Sequence, residues 1–252
     1  MYKRQLEVFV HGAMCQSISG RCYLSAYLRG RSGNCGDCTQ PCRWQWTLHG
    51  ENGEQVELEG KYLLSAKDLC MIEHIPELLE AGVDAFKVEG RLRNPGYTAA
   101  VSRCYREALD ACQQGSYTPE RALEWKERME LEFNRGFSTG FYFGVPGPEG
   151  LGYESDMNAS PVQREAVGVV HNYFQKQGAA DVRLLELELA VGDSIIIEGN
   201  STYIEQEVGS LMSGGESILK AEKGQEVGLG VDGKVRKNDR VFKVNKIRYQ
   251  RD

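Results

Sequence analysis

Four cysteines, Cys15, Cys22, Cys38 and Cys42, fall in one stretch rich in Ser, Gly and Arg. Their spacing is C-x6-C-x15-C-x3-C. Four thiolates are what an iron–sulfur cluster or a structural zinc requires. Zinc sites usually bring two short C-x2–4-C knuckles, and here only the second pair fits. The spread therefore favours a [4Fe–4S] centre, with zinc as the other metal reading and unrelated thiols as the plain one. Cys35 lies in the same loop and competes as a ligand. Cys70 is a spare ligand candidate on a predicted helix. Cys104 and Cys112 sit in a helical pattern, where a small buried hydrophobe is the usual role. Eight cysteines are many for a reducing compartment, where disulfides are rare and clustered thiols point to metal or redox chemistry.

Other residues near this cluster could do chemistry. His11 lies just ahead of Cys15 and is a catalytic candidate. An unligated cysteine with His11 is the best peptidase constellation on offer, because no HExxH or GxSxG pattern occurs. Arg21, Arg29, Arg31 and Arg43 flank the cysteines. Arg21 and Arg43 are the substrate-binding candidates, for phosphate or carboxylate, against a role capping carbonyls. Lys87, Glu89 and Arg91 end a predicted strand, and alternation places all three on one side. They are candidate catalytic residues, with a structural ion pair as the competing reading. Trp44 and Trp46 either stack bases or pack a hairpin.

The elements that must position these residues follow from periodicity. Residues 6–10 alternate as a strand, and 16–43 read as a functional loop. Alternation over 43–59 around Gly50-Glu51-Asn52-Gly53 predicts a hairpin. Apolar spacing predicts helices over 67–81, 95–113 and 119–133, with a strand at 85–89 between the first two. Helix, strand and helix in this order suggest βα units around a parallel sheet. Residues 1–135 supply too few strands for a closed eight-stranded barrel. Either the sheet is small and open, or barrel strands are missing. Gly and Pro mark 136–161 as a linker. Short strand candidates at 167–170, 182–184, 193–197, 218–221, 227–229 and 239–244 then predict a small all-β domain over 162–252, of barrel type.

The 252 residues carry a net charge of −6, which argues against broad non-specific nucleic-acid binding but leaves a local basic patch open. No run approaches the ~20 apolar residues of a membrane span. The opening residues lead straight into a strand, so a cytoplasmic protein without membrane attachment is expected.

Five blocks resemble peptidase family U32, the collagenase-like peptidases. They are Glu7-x-Phe9-x-x-Gly12-Ala13-Met14-Cys15-x4-Gly20-x-Cys22-x-Leu24-Ser25, Asn34-x-Gly36-x-Cys38-x3-Cys42-Arg43-Trp44, Ser65-x-Lys67-Asp68-Leu69, Lys87-Val88-Glu89-Gly90-Arg91 and Asn134 to Phe141. The resemblance implies an α/β plus all-β architecture: the C-terminal part of a TIM-like barrel followed by a translation-factor-like β-barrel. It implies an N-terminally truncated product, with native sequence from near Leu6. The cysteine pattern and the β-domain resemble the family's RNA hydroxylation subgroup. That implies a [4Fe–4S] cluster on Cys15, Cys22, Cys38 and Cys42. It also implies 5-hydroxyuridine formation at the tRNA wobble position, with ribosomal RNA a lesser candidate, prephenate as oxygen donor and a related family member as heterodimer partner. The alternative is a collagenase-like peptidase.

Overall fold

In the computed structural model, residues 4–17, 21–56, 62–91, 93–152 and 158–246 are described. Two compact units divide the chain: Met1–Leu92 with Ala100–Ser160, and Arg93–Ala99 with Pro161–Asp252.

The first unit opens with β1 (Glu7–Gly12), followed by a short helix α1 (Leu24–Arg29). A two-residue hairpin, β2 (Leu48–His49) with β3 (Gln55–Val56), comes next. Then follow β4 (Asp68–Cys70), α2 (Ile75–Glu80), β5 (Ala85–Val88), α3 (Pro95–Gln113, in this unit from Ala100 on), α4 (Pro119–Glu130) and β6 (Phe137–Ser138). Four strands form one sheet in the order β5-β1-β4-β6. β1–β5 and β4–β6 are parallel, whereas β1–β4 is antiparallel. Among the described residues this is a small mixed sheet, not the wholly parallel one expected.

Val10, Leu69, Met71, Ile72, Ile75, Val101, Cys104 and Tyr105 are all buried. The Tyr105 hydroxyl donates to the Val10 carbonyl (2.7 Å) and accepts from the Met71 amide (3.0 Å). α3 and α4 are joined by Glu107, which accepts from the Trp125 indole (2.9 Å) and pairs with Arg128 (2.6 Å).

Several expectations need correction. The helix expected over 67–81 begins as a strand, with Asp68, Leu69 and Cys70 all buried in the sheet. Pro76 fixes the helix start, because proline is tolerated in the first turn and not in the interior. Cys70 is therefore a buried strand residue. The hairpin expected over 43–59 contracts to residues 48–56, and Leu58 lies outside the described residues. Trp44 and Trp46 precede it and stack on each other, with ring centroids 6.2 Å apart. The stretch 136–161 is not a linker. Its β6 pairs with β4, Ala66 bridges Leu151, and residues up to Ser160 belong to the first unit. Its glycines permit turns that bring it back to the sheet.

The second unit is built from β7 (Val162–Phe174), β8 (Ala179–Leu184), β9 (Leu189–Ala190), β10 (Ser194–Gly199), β11 (Thr202–Glu207), β12 (Leu211–Ser213), β13 (Glu216–Ile218), β14 (Lys220–Ala221), β15 (Glu226–Gly230) and β16 (Arg240–Lys246). Eight of these form an antiparallel sheet in the order β11-β10-β16-β7-β8-β15-β12-β13, and β9 pairs with β14. Valine, isoleucine and leucine from β7, β8, β10, β15 and β16 bury into one core, among them Val167, Val182, Ile195, Leu229 and Val241. Alternation sets this core, with period-two residues turned inward. Among the described residues the pairing runs from β11 to β13 without closing into a ring.

Candidate functional site

The cysteine loop begins where β1 ends. Gly12 sits at φ +113, and a Cβ there would lie 2.4 Å from the Glu89 carbonyl oxygen. Only glycine lets the end of β1 pass so close to the chain leaving β5. The Glu89 amide donates to the His11 carbonyl (2.8 Å), and the Arg91 amide donates to Glu89 Oε1 (2.8 Å). Arg91 then donates through Nη2 to the Gly36 carbonyl (2.9 Å), which ties the cysteine loop to the strand end.

Within the loop, local hydrogen bonds replace a core. Ser25 of α1 is buried, and its Oγ accepts from the Thr39 amide (2.9 Å). Arg31 pairs with Asp37 through two hydrogen bonds, one of 2.8 Å. Gly30 caps α1 in the left-handed conformation. Arg29 lies over the Trp44 ring (5.0 Å), and the Trp46 indole donates to the Pro41 carbonyl (2.8 Å). Both tryptophans are thus engaged inside the loop.

Cys15, Cys22, Cys35 and Cys38 are exposed, and Cys42 is half-buried. Burial pushes the Cys42 thiol up from its ordinary value. The Arg43 guanidinium opposes that shift, while the thiols of Cys15, Cys38 and Cys22 add to it. The Gln40 amide donates to Cys38 Sγ (3.3 Å).

Among the described residues no three metal-ligating side chains are drawn together tightly enough for a single ion. A cubane cluster spreads its ligands more widely, because each thiolate binds a different iron. The donor set, four thiols with no histidine or carboxylate among them, fits a cluster of that kind.

The remaining candidates divide. His11 is buried at 1 % exposure, edge-on to Tyr105 and Phe137 at centroid distances of 5.7 and 5.3 Å. It sits opposite Cys70 in the β1–β4 pair. Burial pushes the Cys70 thiol up to about 12, against the opposing pull of the Ile72 amide and the Tyr105 hydroxyl. A nucleophile must be a thiolate and reachable, and Cys70 is neither near neutral pH.

Lys87 is engaged with residues of β1. Its ammonium pairs with Glu7 (3.3 Å) and lies over the Phe9 ring (4.9 Å). Arg21 is exposed. Arg43, expected to face substrate, is 5 % exposed and donates to the carbonyls of Met14 (2.8 Å) and Ala66 (3.4 Å). It clamps the chain after β1 to the chain before β4, which is the carbonyl-capping role.

Residues that sequence reasoning left without a role meet beside Cys15. A cavity of about 340 Å3 is lined by Met14, Cys15, Gln16, Lys67, Phe141 and Pro148 among others. Asp68, next to the lining residue Lys67 in sequence, pairs with Arg135 (3.1 Å), both buried, and the Asp68 amide donates to the Gly136 carbonyl (3.0 Å). Gly136, at φ +75, has the stem of Lys67 lying 3.5 Å from where a Cβ would stand. The signal for this site was present in the blocks 65–69 and 134–141, which the fold brings together.

The sequence profile of peptidase family U32 matches residues 2–151. The chain belongs to peptidase family U32. Among its U32 relatives, an uncharacterized protease of Methanocaldococcus jannaschii is 44 % identical over 94 % of this chain and 59 % of its own length. A collagenase of Porphyromonas gingivalis is 37 % identical over 96 % of this chain and 58 % of its own. The tRNA hydroxylation protein P1 of Bacillus subtilis is 38 % identical over 67 % of this chain and 41 % of its own. The chain thus spans less than two thirds of the length of each of these U32 proteins. Among the described residues no helix is long and apolar enough to cross a membrane.

Proposed function

We propose that this chain is the cluster-bearing part of an RNA-hydroxylating protein. Cys15, Cys22, Cys38 and Cys42 hold a [4Fe–4S] centre, and the reaction is 5-hydroxyuridine formation at the tRNA wobble position. The observation that carries the reading is the set of four cysteines in one loop at the end of β1, with Cys15, Cys22 and Cys38 exposed and Cys42 half-buried. The Bacillus subtilis relative, named as a tRNA hydroxylation protein, supports the substrate. With four cysteine ligands the cluster supplies one-electron chemistry. The chain's own residues hold and tune it. The Gln40 amide at Cys38 Sγ is the kind of hydrogen bond that raises a cluster's potential. Arg43 holds the start of the loop at Met14, and Arg91 holds its middle at Gly36.

The collagenase-like reading rests on the names of relatives. It finds less support in the site, where His11 and its cysteine neighbour are both buried.

Iron, acid-labile sulfide and visible absorption after oxygen-free purification test the cluster. Substituting Cys15, Cys22, Cys38 or Cys42 by Ser is expected to remove most of the iron, whereas Cys35→Ser retains it. A colourless protein that cleaves gelatin refutes the reading. Mass spectrometry of tRNA from a deletion strain tests the substrate: wobble hydroxyuridine is expected to disappear and to return with the full-length gene.

A further inference from the structure

We propose that the cavity beside Cys15 is the seat of the reacting base, and that it takes a uracil turned out of the RNA chain. This rests on the RNA-hydroxylation reading and gives it a place. An enzyme that does chemistry on a base must extract it from its stack and enclose it in a pocket. The cavity lies entirely within the first unit, and its volume of about 340 Å3 has room for a pyrimidine nucleoside. Cys15 is part of its wall, so a bound base lies against the thiol set. Met14, Phe141 and Pro148 offer apolar surface for the base face.

Lys67, the cation of the lining, specifies the edge, and its stem lies against Gly136. The Glu149 and Gly147 amides hold the exposed Glu149 carboxyl below its usual range, and Lys67 adds to this. An ammonium only donates, so it suits the carbonyl oxygen at position 4 of uracil and not the amino group that cytosine carries there. Gln16 also lines the cavity, but its Nε2 is closed off and does not face the opening.

Photocrosslinking tests this with the full chain, its cluster loaded without oxygen, and a short RNA stem-loop carrying one 4-thiouridine in the loop. Crosslinks are expected in peptides covering 14–16, 66–67 or 138–151. Free uridine is expected to compete better than cytidine. Lys67→Met is expected to lower the yield roughly tenfold, the loss of one charged donor. Iron content and the tryptophan-detected unfolding midpoint stay at wild-type values, showing that the variant folds. Crosslinks confined to 162–246, with Lys67→Met at wild-type yield, overturn the cavity assignment and leave the RNA reading standing. Equal competition by cytidine overturns the choice of uracil. No crosslink from iron-loaded protein overturns both the assignment and the RNA reading.

Discussion

Replacing Arg43 separates a clamp from a substrate-binding arginine. The guanidinium makes one short bond, to the Met14 carbonyl at 2.8 Å, and one long bond, to the Ala66 carbonyl at 3.4 Å. A hydrogen bond from a charged donor contributes about 1.5–3 kcal/mol, and a long one less. Arg43→Met is therefore expected to destabilise the first unit by about 2–4 kcal/mol. For a unit of this size that lowers the unfolding midpoint by roughly 5–15 °C. The assay is built into the chain, since all three tryptophans, Trp44, Trp46 and Trp125, lie in the first unit. Tryptophan fluorescence during heating reports that unit alone. Arg43→Lys keeps the charge but cannot fork to two carbonyls, and should fall between wild type and Met. Iron retention should drop in parallel, because Met14 precedes the first cysteine. If the midpoint of Arg43→Met stays within about 2 °C of wild type while RNA affinity collapses, the clamp is refuted and the substrate role restored.

Other outcomes follow from the same structure. Cys70 is expected to resist thiol reagents at pH 8 in the native protein and to react only after unfolding, as a pKa of about 12 requires. That folded value lies above the unfolded one, so its stabilising effect is complete below about pH 9 and fades between 9 and 12. Alkaline titration of wild type against Cys70→Ala should show the difference, and identical curves would contradict it. Glu107 is held below its ordinary value by the Arg128 hydrogen bond, and its contribution is present above about pH 4.5 and lost on acidification. Glu107→Gln should cost about 0.5–1 kcal/mol at neutral pH in urea unfolding, and progressively less as the pH falls below 4.5. Gly12→Ala should cost about 3 kcal/mol or more, since both its φ and the Glu89 carbonyl forbid a side chain. A soluble variant with a wild-type midpoint would show that the contact yields.

Elements with strong periodicity were legible in the sequence, and the reasons are specific. The helix at Pro95–Gln113 matches its expected bounds, because Tyr97, Val101 and Tyr105 recur at helical spacing behind a starting proline. The β strands of the second unit follow from alternation over Ser194–Gly199 and Arg240–Lys246. Residues 68–70 misled, because Leu69 and Ile72 satisfy helical spacing equally well in a buried strand followed by a turn. The return of 136–160 to the first sheet was invisible for a different reason. Pairing of Asp68 with Phe137 is a contact across the whole unit, and local composition carries no trace of it. In the site, the cysteines could be read from spacing. The fate of Arg43 and Lys87 could not, because burial and direction depend on what the fold places beside them.

The pairing of β7 with β16 sets Val162 against Lys246, so the first and last strands of the second unit lie side by side. During synthesis the first unit has all its residues by Ser160, whereas the second waits for the chain to reach residue 246. At ordinary ribosomal speeds of ~5–20 residues per second, that interval is roughly 4–17 s. Throughout it β7, thirteen residues long, lacks the partner it meets in β16. The exposed edge makes this the period in which the nascent chain is most open to aggregation or to a chaperone. Joining residue 246 to residue 162 through a short turn and opening the chain elsewhere would remove that wait, since the strand pair would then be local.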